Sequence, residues 1–327
     1  NQVTSEVLIV QMRAMHQAAL KDASLGRSVV STSKPELYES VAEIEPVPGE
    51  NEISIVAFNA QNSIQSLLGS TRFISKKAAA PPQLFILAVG IDEYKDKSSN
   101  LRFAVKDSQD IAAHWKAQAT NNYGEKNIFI ETLSNAQASR QGILARIDRI
   151  AARIKPTDHF LLFVASHGVL LGEQYYVVPG DYDGALNPSQ LISANEIVDF
   201  SKRIKALSQL YVLDTCHAGG MGGVVGGLYD ARISVLAKKM GLHVFASAGS
   251  VEEALDDFKG NGLFTHTLLA GLNNNKQVDT NADKQVSLLE LGAYSKVQTK
   301  GIAEKLGHQQ DPLIINFGAD NSIYRLH

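Results

Sequence analysis

Two side chains of this sequence have the chemistry of a nucleophile and its base. Cys216 is the only cysteine of the 327-residue chain, and it lies between the hydrophobic run Tyr211–Leu213 and a group of glycines. His167 follows a similar run, His159–Ala165, and precedes Gly168. Short apolar runs bounded by turn residues predict buried strands, and parallel sheets carry functional groups at the carboxyl ends of their strands. The sequence therefore predicts a thiol and an imidazole in one crevice.

The predicted pair is suited to acyl transfer. A free thiol has a pKa near 8.5 and is mostly protonated at neutral pH, so it needs a base before it can act as a nucleophile. We expect His167 to be that base for Cys216. Attack on a carbonyl group creates an oxyanion that requires preorganised donors. The backbone N–H groups of Gly168 and Cys216 lie on the two turns that would face it, and glycine lets a substrate backbone approach closely.

Each of the two residues also has a structural interpretation. A lone cysteine is often a small core residue, and a lone histidine is often a hydrogen-bonded core residue. The placement of Cys216 and His167 at two strand ends followed by glycine favours the catalytic interpretation. His217 is a second candidate base, but neighbouring side chains on an extended segment point to opposite faces, so we rank it below His167.

Four segments around these residues resemble motifs of the caspase-like cysteine peptidases, especially the bacterial caspase homologues and metacaspases. They are Phe163–Gly168, Leu213–Gly219, Leu84–Tyr94 and Leu101–Asp107. The roughly 50 positions between His167 and Cys216 agree with the spacing known for caspases. The resemblance extends from about residue 83 to residue 317. It implies a cysteine endopeptidase with a Cys/His dyad, protein or peptide substrates, and no cofactor in the chemistry.

Two departures from the family pattern bear on specificity. The cysteine lacks the Gln-Ala-Cys context of animal caspases, which argues against their specificity. Ser166 stands where many relatives have glycine before the histidine, which alters the turn next to the expected oxyanion site.

Two aspartates match the acidic residues that line the S1 pocket of metacaspases, the pocket for the residue before the scissile bond (P1). Asp214 precedes the cysteine by two positions, and Asp107 opens the first predicted helix. A desolvated carboxylate needs a cationic partner, so the resemblance predicts arginine or lysine at P1. Alternatively, Asp107 favours a helix N-terminus and Asp214 binds loop amides. Animal caspases instead hold aspartate with arginines, for which Arg102 is the only nearby candidate.

The segment from residue 83 onwards alternates predicted strands and helices. Six strands are predicted, at Leu84–Ile91, Asn127–Leu133, His159–Ala165, Gln209–Leu213, Leu242–Ser247 and Leu313–Phe317. Isoleucines at 143, 147, 150 and 154 mark one helical face, and Ile197, Phe200, Ile204 and Leu207 mark another. Ser193 and Glu196 form a capping box for the second helix. The order predicts an α/β fold with a mostly parallel sheet covered on both faces. The family resemblance implies that this sheet has six strands and that the fold is a caspase-like three-layer sandwich.

The first 75 residues predict a separate, β-rich region. Asn51–Asn59 alternates apolar and polar residues, as in a half-buried strand, with Leu37–Ile44 and Ile64–Ile74 as its expected partners. Val3–Leu20 predicts either a strand or a helix. Residues 76–82, rich in alanine and proline, predict a linker between residues 1–75 and a peptidase domain at residues 83–327. We interpret residues 1–75 as an immunoglobulin-like remnant or an element that docks a regulatory partner.

One acidic segment fits the spacing of a calcium-binding loop. Its oxygen-bearing side chains are Asp279, Asn281, Asp283, Gln285 and Glu290. Lys284 replaces the glycine expected at the sharp turn, where it adds strain and a positive charge. The alternative is an Asx-rich turn before a helix capped by Ser287 and Glu290.

The bulk composition agrees with an enzyme in the cytoplasm. A formal net charge of −3 gives no indication of nucleic-acid binding, and no apolar run reaches the roughly 20 residues that a membrane span needs. One cysteine excludes an internal disulfide framework. The chain begins without methionine, so an upstream segment is a further expectation. The competing class is a catalytically silent caspase-like module that binds partners.

Overall fold

The structure is a computed structural model that describes most of the chain. Described are residues 46–55, 69–172, 174–216, 241–249, 252–273, 275–317 and 320–326, and the backbone alone of segments 2–3, 8–16, 19–22, 27–30 and 36–44. The described residues form two compact units, one up to Ala80 and the other from Pro81 onwards.

The described residues of the first unit form seven strands. They are β1 (Gln2–Val3), β2 (Leu8–His16), β3 (Ala19–Asp22), β4 (Arg27–Val30), β5 (Glu36–Ile44), β6 (Gly49–Ile55) and β7 (Gly69–Ser75). Strand β7 lies between β1 and β6, whereas β2 pairs with β5 and β3 with β4. The prediction of a β-rich region is confirmed, and the segment that predicted either a strand or a helix forms strands.

The predicted pairing within this unit is partly wrong. Strand β6 covers the first part of the strand predicted at Asn51–Asn59, whose residues 56–59 lie outside the described ones. It pairs with β7, as predicted, but not with Leu37–Ile44. That segment belongs to β5, which is antiparallel to β2 over nine residue pairs. The longer ladder satisfies more backbone groups than the seven residues of β6 would.

The second unit is built around a six-stranded sheet. Its strands in chain order are β8 (Leu84–Gly90), β9 (Ile128–Ser134), β10 (His159–Ala165), β14 (Ser208–Asp214), β15 (Leu242–Ala246) and β17 (Leu313–Asn316). The spatial order is β17-β15-β14-β10-β8-β9, and all neighbours are parallel except β17 and β15. Smaller sheets comprise β11 (Gly168–Leu171), β12 (Gln174–Val177) and β13 (Ile192–Ser193), and β16 (Gln285–Ser287) with β18 (Ser322–Arg325). The predicted mostly parallel six-stranded sheet is confirmed.

Helices cover both faces of this sheet. The described α-helices are α1 (Ala104–Tyr123), α2 (Arg140–Ala151), α3 (Ala194–Arg203), α4 (Leu263–Leu272) and α5 (Leu288–Lys305). Short 3-10 helices span Lys97–Ser99, Glu125–Asn127, Asn135–Ala138 and Pro188–Gln190. Both halves of the predicted capping box at Ser193 and Glu196 are formed at the start of α3.

Alternating residues of the central strands divide the core into two layers. Phe85, Leu87 and Val89 of β8 belong to one apolar cluster together with buried residues of α2 and α3. Leu84, Ile86 and Ala88 belong to a second cluster together with buried residues of α1, α4 and α5. Each buried Leu, Ile or Phe contributes about 1.5 to 3 kcal/mol, so both layers stabilise the sheet. The fold is the predicted three-layer sandwich.

One predicted core position is wrong. Leu207 was expected on the apolar face of α3, but it is 49 % exposed. Helix α3 ends at Arg203, because the chain turns there to begin β14 at Ser208.

Candidate active site

The register of the sheet brings the predicted nucleophile and base to one edge. Ala165 of β10 pairs with Asp214 of β14 on one side and with Gly90 of β8 on the other. His167 and Cys216 each lie two residues beyond this common level. Both therefore line one cavity of about 210 Å³ at the carboxyl ends of the central strands.

His167 is held from two sides. Its backbone N–H donates to the hydroxyl oxygen of the buried Tyr94, 2.9 Å away, and the two rings lie 5.3 Å apart between centroids. Its Nε2 lies 2.7 Å from the carbonyl oxygen of Ser99. Because a carbonyl oxygen only accepts hydrogen bonds, Nε2 carries a proton in this contact. In the neutral ring the other nitrogen, Nδ1, is then the proton acceptor.

Cys216 lies in a partly buried position surrounded by acids. Burial raises the pKa of its thiol; the backbone N–H of Ala254 opposes this shift, and the charges of Glu253, Asp214 and Asp256 add to it. The Cys216 thiol is thus less acidic than a free one. A base is needed to remove its proton near neutral pH.

The two turns expected to hold an oxyanion touch each other. A Cβ atom at Gly168 would lie 2.2 Å from the carbonyl oxygen of Cys216, so only glycine fits there. The N–H of Val178 donates to the carbonyl oxygen of His167, next to Gly168 and Val177, the first pair of the β11–β12 ladder. Among the described residues, no acceptor receives the N–H of Cys216.

The two predicted S1 aspartates lie side by side in the same cavity. Their Oδ2 atoms both approach Gly262, at 3.0 Å for Asp107 and 3.1 Å for Asp214 from the position of a Cβ built there. Asp107 is 2 % exposed and Asp214 is 8 % exposed. Burial, and then the charge of Asp214, raise the pKa of Asp107 to about 8, and burial raises the pKa of Asp214 to about 6.

Both aspartates also accept hydrogen bonds at the N-terminus of α4, a helix that neither structural alternative named. Asp107 accepts hydrogen bonds from the Asn261 side chain and from the N–H of Gly262, the N-cap of α4. Asp214 accepts from the N–H and the hydroxyl group of Thr265 in the first turn of α4. The carboxylates therefore cap α4 while they line the cavity.

Arg102 does not provide a cation for this cavity. Its guanidinium group lies 3.4 Å from the carboxylate of Asp257, and its side chain is 72 % exposed. The described residues that line the cavity include no lysine or arginine. The rival base His217 lies outside the described residues.

Sequence reasoning missed three residues of the site. Ser99 and Tyr94 contact His167 through backbone and ring atoms, and Asp256 contributes a third carboxylate to the cavity wall. All three are far from Cys216 along the chain. Only the doublet Asp256-Asp257, after the fifth strand of the sheet, was visible as a signal.

The predicted calcium loop has its oxygens bonded to its own backbone. Asp279 accepts from the N–H groups of Asp283 and Lys284, and Asn281 accepts from that of Asp283. Asp283 accepts from the N–H of Gln285. Lys284 has φ of +65°, the left-handed conformation that glycine would favour.

Glu290 closes this loop and caps helix α5. Burial opposes its charge, but the N–H groups of Ser287, Thr280 and Asn281 lower its pKa overall. The alternative prediction of a cap by Ser287 and Glu290 is confirmed. No group of three or more His, Cys, Asp or Glu side chains that could hold a metal ion occurs in the described part of the chain. Calcium binding stays a prediction.

The sheet order and the cavity define an α/β protein with a cysteine and a histidine at adjacent strand ends. The family model of the caspase domain, Peptidase_C14, matches residues 84–309. The chain therefore belongs to the caspase-domain family of cysteine peptidases.

Comparison with solved structures agrees at the level of the fold. The crystal structure of protein GSU0716 from Geobacter sulfurreducens matches with a TM-score of 0.50 at 15% identity, over 75% of this chain and 100% of that chain. No curated protein matches the sequence. Within the described residues, no helix has the length and apolar character needed to cross a membrane.

Proposed function

We propose that this protein is a cysteine endopeptidase that cleaves peptide bonds after arginine or lysine, with Cys216 as nucleophile and His167 as general base and acid. The observation that carries the proposal is the content of one cavity. It is lined by the thiol, the imidazole and two buried carboxylates, and no cationic side chain occurs in its described lining. The caspase-domain match supports the same chemistry.

The first step is attack of the sulfur on the substrate. His167 accepts the Cys216 proton at Nδ1, while the Nε2–H bond to Ser99 keeps the ring in the tautomer that can do so. The thiolate forms a bond to the scissile carbonyl carbon, and the electron pair of the C=O bond moves to oxygen. The N–H groups of Gly168 and Cys216 stabilise this oxyanion.

The later steps return the enzyme to its starting state. The C–N bond breaks and His167 gives its proton to the leaving amine, which leaves a thioester on Cys216. Water then loses a proton to His167 and attacks the thioester. Collapse of the second oxyanion releases the carboxylic acid, and the proton returns to the thiolate.

Asp107 and Asp214 provide the proposed specificity. A guanidinium or ammonium group between them would form charge-assisted hydrogen bonds in a water-poor site. It would also offset the burial and repulsion that raise the pKa of both carboxyl groups. The alternative, cleavage after aspartate, requires a cation for the substrate carboxylate, and Arg102 is engaged with Asp257.

A panel of fluorogenic peptides ending in Arg, Lys or Asp tests the proposal. We expect hydrolysis of the Arg and Lys peptides and none by Cys216→Ala. A preference for Asp would overturn the basic specificity. No hydrolysis of any peptide, together with no labelling of Cys216 by peptidyl electrophiles, would favour the alternative of a silent interaction module.

The calcium loop and residues 1–75 carry separate proposals. Calorimetric titration with millimolar calcium chloride should release heat if the loop that ends at Glu290 binds the ion, and an absence of heat would remove that proposal. We expect a regulatory partner of residues 1–75 to bind the Cys216→Ala variant as tightly as it binds the wild-type protein.

A further inference from the structure

We propose that Asp256 is a third specificity-determining carboxylate of the active-site cavity. A cationic substrate side chain bound beside Asp256 neutralises the charge of this carboxylate and thereby makes Cys216 more reactive. This inference rests on the proposed basic specificity. It adds a residue that neither the sequence motifs nor the pair of S1 aspartates identifies, and it assigns the substrate a part in activating its own nucleophile.

The position of Asp256 is fixed by the elements around it. Its Oδ2 accepts a hydrogen bond of 3.1 Å from the backbone N–H of Arg102, just before α1. The preceding residue, Leu255, donates its N–H to Oε1 of the buried Gln310 and accepts at its carbonyl oxygen from the N–H of Leu263. Hydrogen bonds therefore hold the Asp256 carboxylate and its segment in place at the cavity.

Asp256 lies in the same cavity as the catalytic pair and the two S1 aspartates. It lines the same cavity as Cys216, His167, Asp107 and Asp214. Burial raises its pKa; the N–H of Arg102, the charge of His167 and the N–H of Phe103 oppose this shift, and Asp92 adds to it. Asp256 in turn raises the pKa of Asp107, Asp214 and Cys216.

Among the described residues, the charged groups near the Cys216 sulfur come from three segments of the chain. Asp214 comes from the end of β14, Glu253 and Asp256 from the segment after β15, and His167 from the turn after β10. Nearby cations are engaged elsewhere, Arg102 with Asp257 and Lys106 with Asp110. The carboxylates of the cavity thus oppose formation of the thiolate, because like charges repel at short range.

A bound cation reverses this effect. A guanidinium group that enters between Asp107, Asp214 and Asp256 brings one positive charge into the field that acts on Cys216. The thiolate is then formed at lower pH, when the P1 side chain is in place. An uncharged or acidic side chain leaves the thiol in its less reactive state, so specificity acts on nucleophilicity as well as on binding.

Because Cys216 is the only cysteine, its reactivity can be measured by alkylation, without cleavage of a substrate. Intact-mass measurement of alkylation by the neutral reagent iodoacetamide reports Cys216 alone. The pH midpoint of the alkylation rate is compared with and without saturating methylguanidinium, a mimic of the arginine side chain. The midpoint is used because steric slowing by the ligand changes the rate but not the midpoint.

We expect three results. Methylguanidinium lowers the midpoint of the wild-type protein by about 0.5 to 1 pH unit, which is a three- to tenfold faster reaction at a fixed lower pH. Asp256→Asn lowers the midpoint measured without methylguanidinium by a similar amount and reduces the further shift by methylguanidinium. The control Asp257→Asn, next along the chain and paired with Arg102 outside the cavity, keeps the wild-type midpoints.

The outcomes separate this inference from the proposed function. Unchanged midpoints in Asp256→Asn, or no shift with methylguanidinium, overturn the inference even if arginine peptides are cleaved. If the midpoint shifts but the protein cleaves no peptide, the peptidase proposal is wrong, whereas the effect of a bound cation on Cys216 still holds. Asp256→Asn retains an oxygen acceptor for the Arg102 N–H, and an unchanged melting temperature checks that it is folded.

Discussion

The two ends of strand β10 each carry a histidine, and they differ in almost every other respect. At the amino end, Nδ1 of His159 lies 2.6 Å from the Tyr123 hydroxyl oxygen. The cavity beside it measures about 30 Å³, and most of its lining is apolar. At the carboxyl end, His167 faces about 210 Å³ and three carboxylates.

The difference shows where this fold leaves room for chemistry. At the amino end, side chains of β8, β10, β14 and α1 fill the space, and burial lowers the pKa of His159, an effect that the charge of Asp158 opposes. At the carboxyl end the chain turns away after each strand. Buried carboxyl groups remain there, and the described lining of the cavity includes no lysine or arginine to pair with them, an arrangement that costs stability and that a ligand can offset.

The largest expected effect separates the two histidines. His167→Ala should lower kcat/KM on an arginine peptide by about 10²- to 10⁴-fold, because it removes general acid–base catalysis. His159→Phe should lower the free energy of unfolding by about 1 to 3 kcal/mol, because the Tyr123 hydroxyl group loses its partner. Its kcat per folded molecule should be unchanged. Initial rates and denaturant titrations measure both, and an equal loss of kcat in the two variants would remove the distinction.

A second expected effect concerns the buried carboxylates. Asp214→Asn should lower kcat/KM for arginine peptides by about 10- to 100-fold, the loss of one charge-assisted hydrogen bond. A peptide with norleucine at P1 should lose little. The exposed Asp199, which pairs with Lys202 on α3, provides the control Asp199→Asn. If arginine and norleucine peptides lost activity together, Asp214 would be a structural cap and not a specificity residue.

Two glycines offer a matched pair at opposite ends of the sheet. A Cβ at Gly168 would lie 2.2 Å from the Cys216 carbonyl oxygen, and one at Gly241 would lie 2.2 Å from that of Leu207. Both changes to alanine should destabilise the protein by about 1 to 3 kcal/mol through overpacking, and at Gly241, whose φ is +57°, also through backbone strain. Gly168→Ala alone should also lower kcat, since it displaces the turn next to the nucleophile. Equal kcat values for the two folded variants would contradict this.

The smallest expected effect is a pair of opposite pH dependences. The raised pKa values of Asp107 and Asp214 mean that their contribution is present below the ordinary carboxyl pKa of about 3.9 and is lost as pH rises to about 8. The lowered pKa of His159 means that its contribution is present above about pH 6.5 and is lost as pH falls.

Urea titrations of the variants between pH 4 and 9 check these signs. Asp214→Asn should reduce the loss of unfolding free energy towards alkaline pH, and His159→Phe should reduce the loss towards acidic pH. Parallel pH profiles for the wild-type protein and both variants would contradict the assignment.

The strands of the sheet were predictable because they are short apolar runs, and the four central ones are buried on both faces. Apolar runs located all six to within about one residue at each end, and the capping box at Ser193 located the start of α3. The end of α3 was not predictable from periodicity, since Leu207 continues the apolar pattern after the helix has stopped.

The site was predictable only in part, because its remaining groups meet through long-range contacts. His167 and Cys216 stand at strand ends, a position that sequence identifies. The Ser99 carbonyl oxygen has no side-chain signature at all. Asp256 resembles any solvated acid in the sequence, and only the packing of its loop against Arg102 and Gln310 places it in the cavity. The pairing of β5 was not predictable for the same reason, since β2 and β6 were both available as its neighbour in the sheet.

The most direct test of the account is covalent labelling of the native protein by two peptidyl chloromethyl ketones that differ only at P1. We predict one adduct per chain with the arginine reagent, on Cys216, and none with the aspartate reagent, with labelling lost in Cys216→Ala and strongly slowed in His167→Ala. Faster labelling by the aspartate reagent, or equal labelling after loss of His167, would contradict the claim that these two residues act together on substrates with a basic side chain.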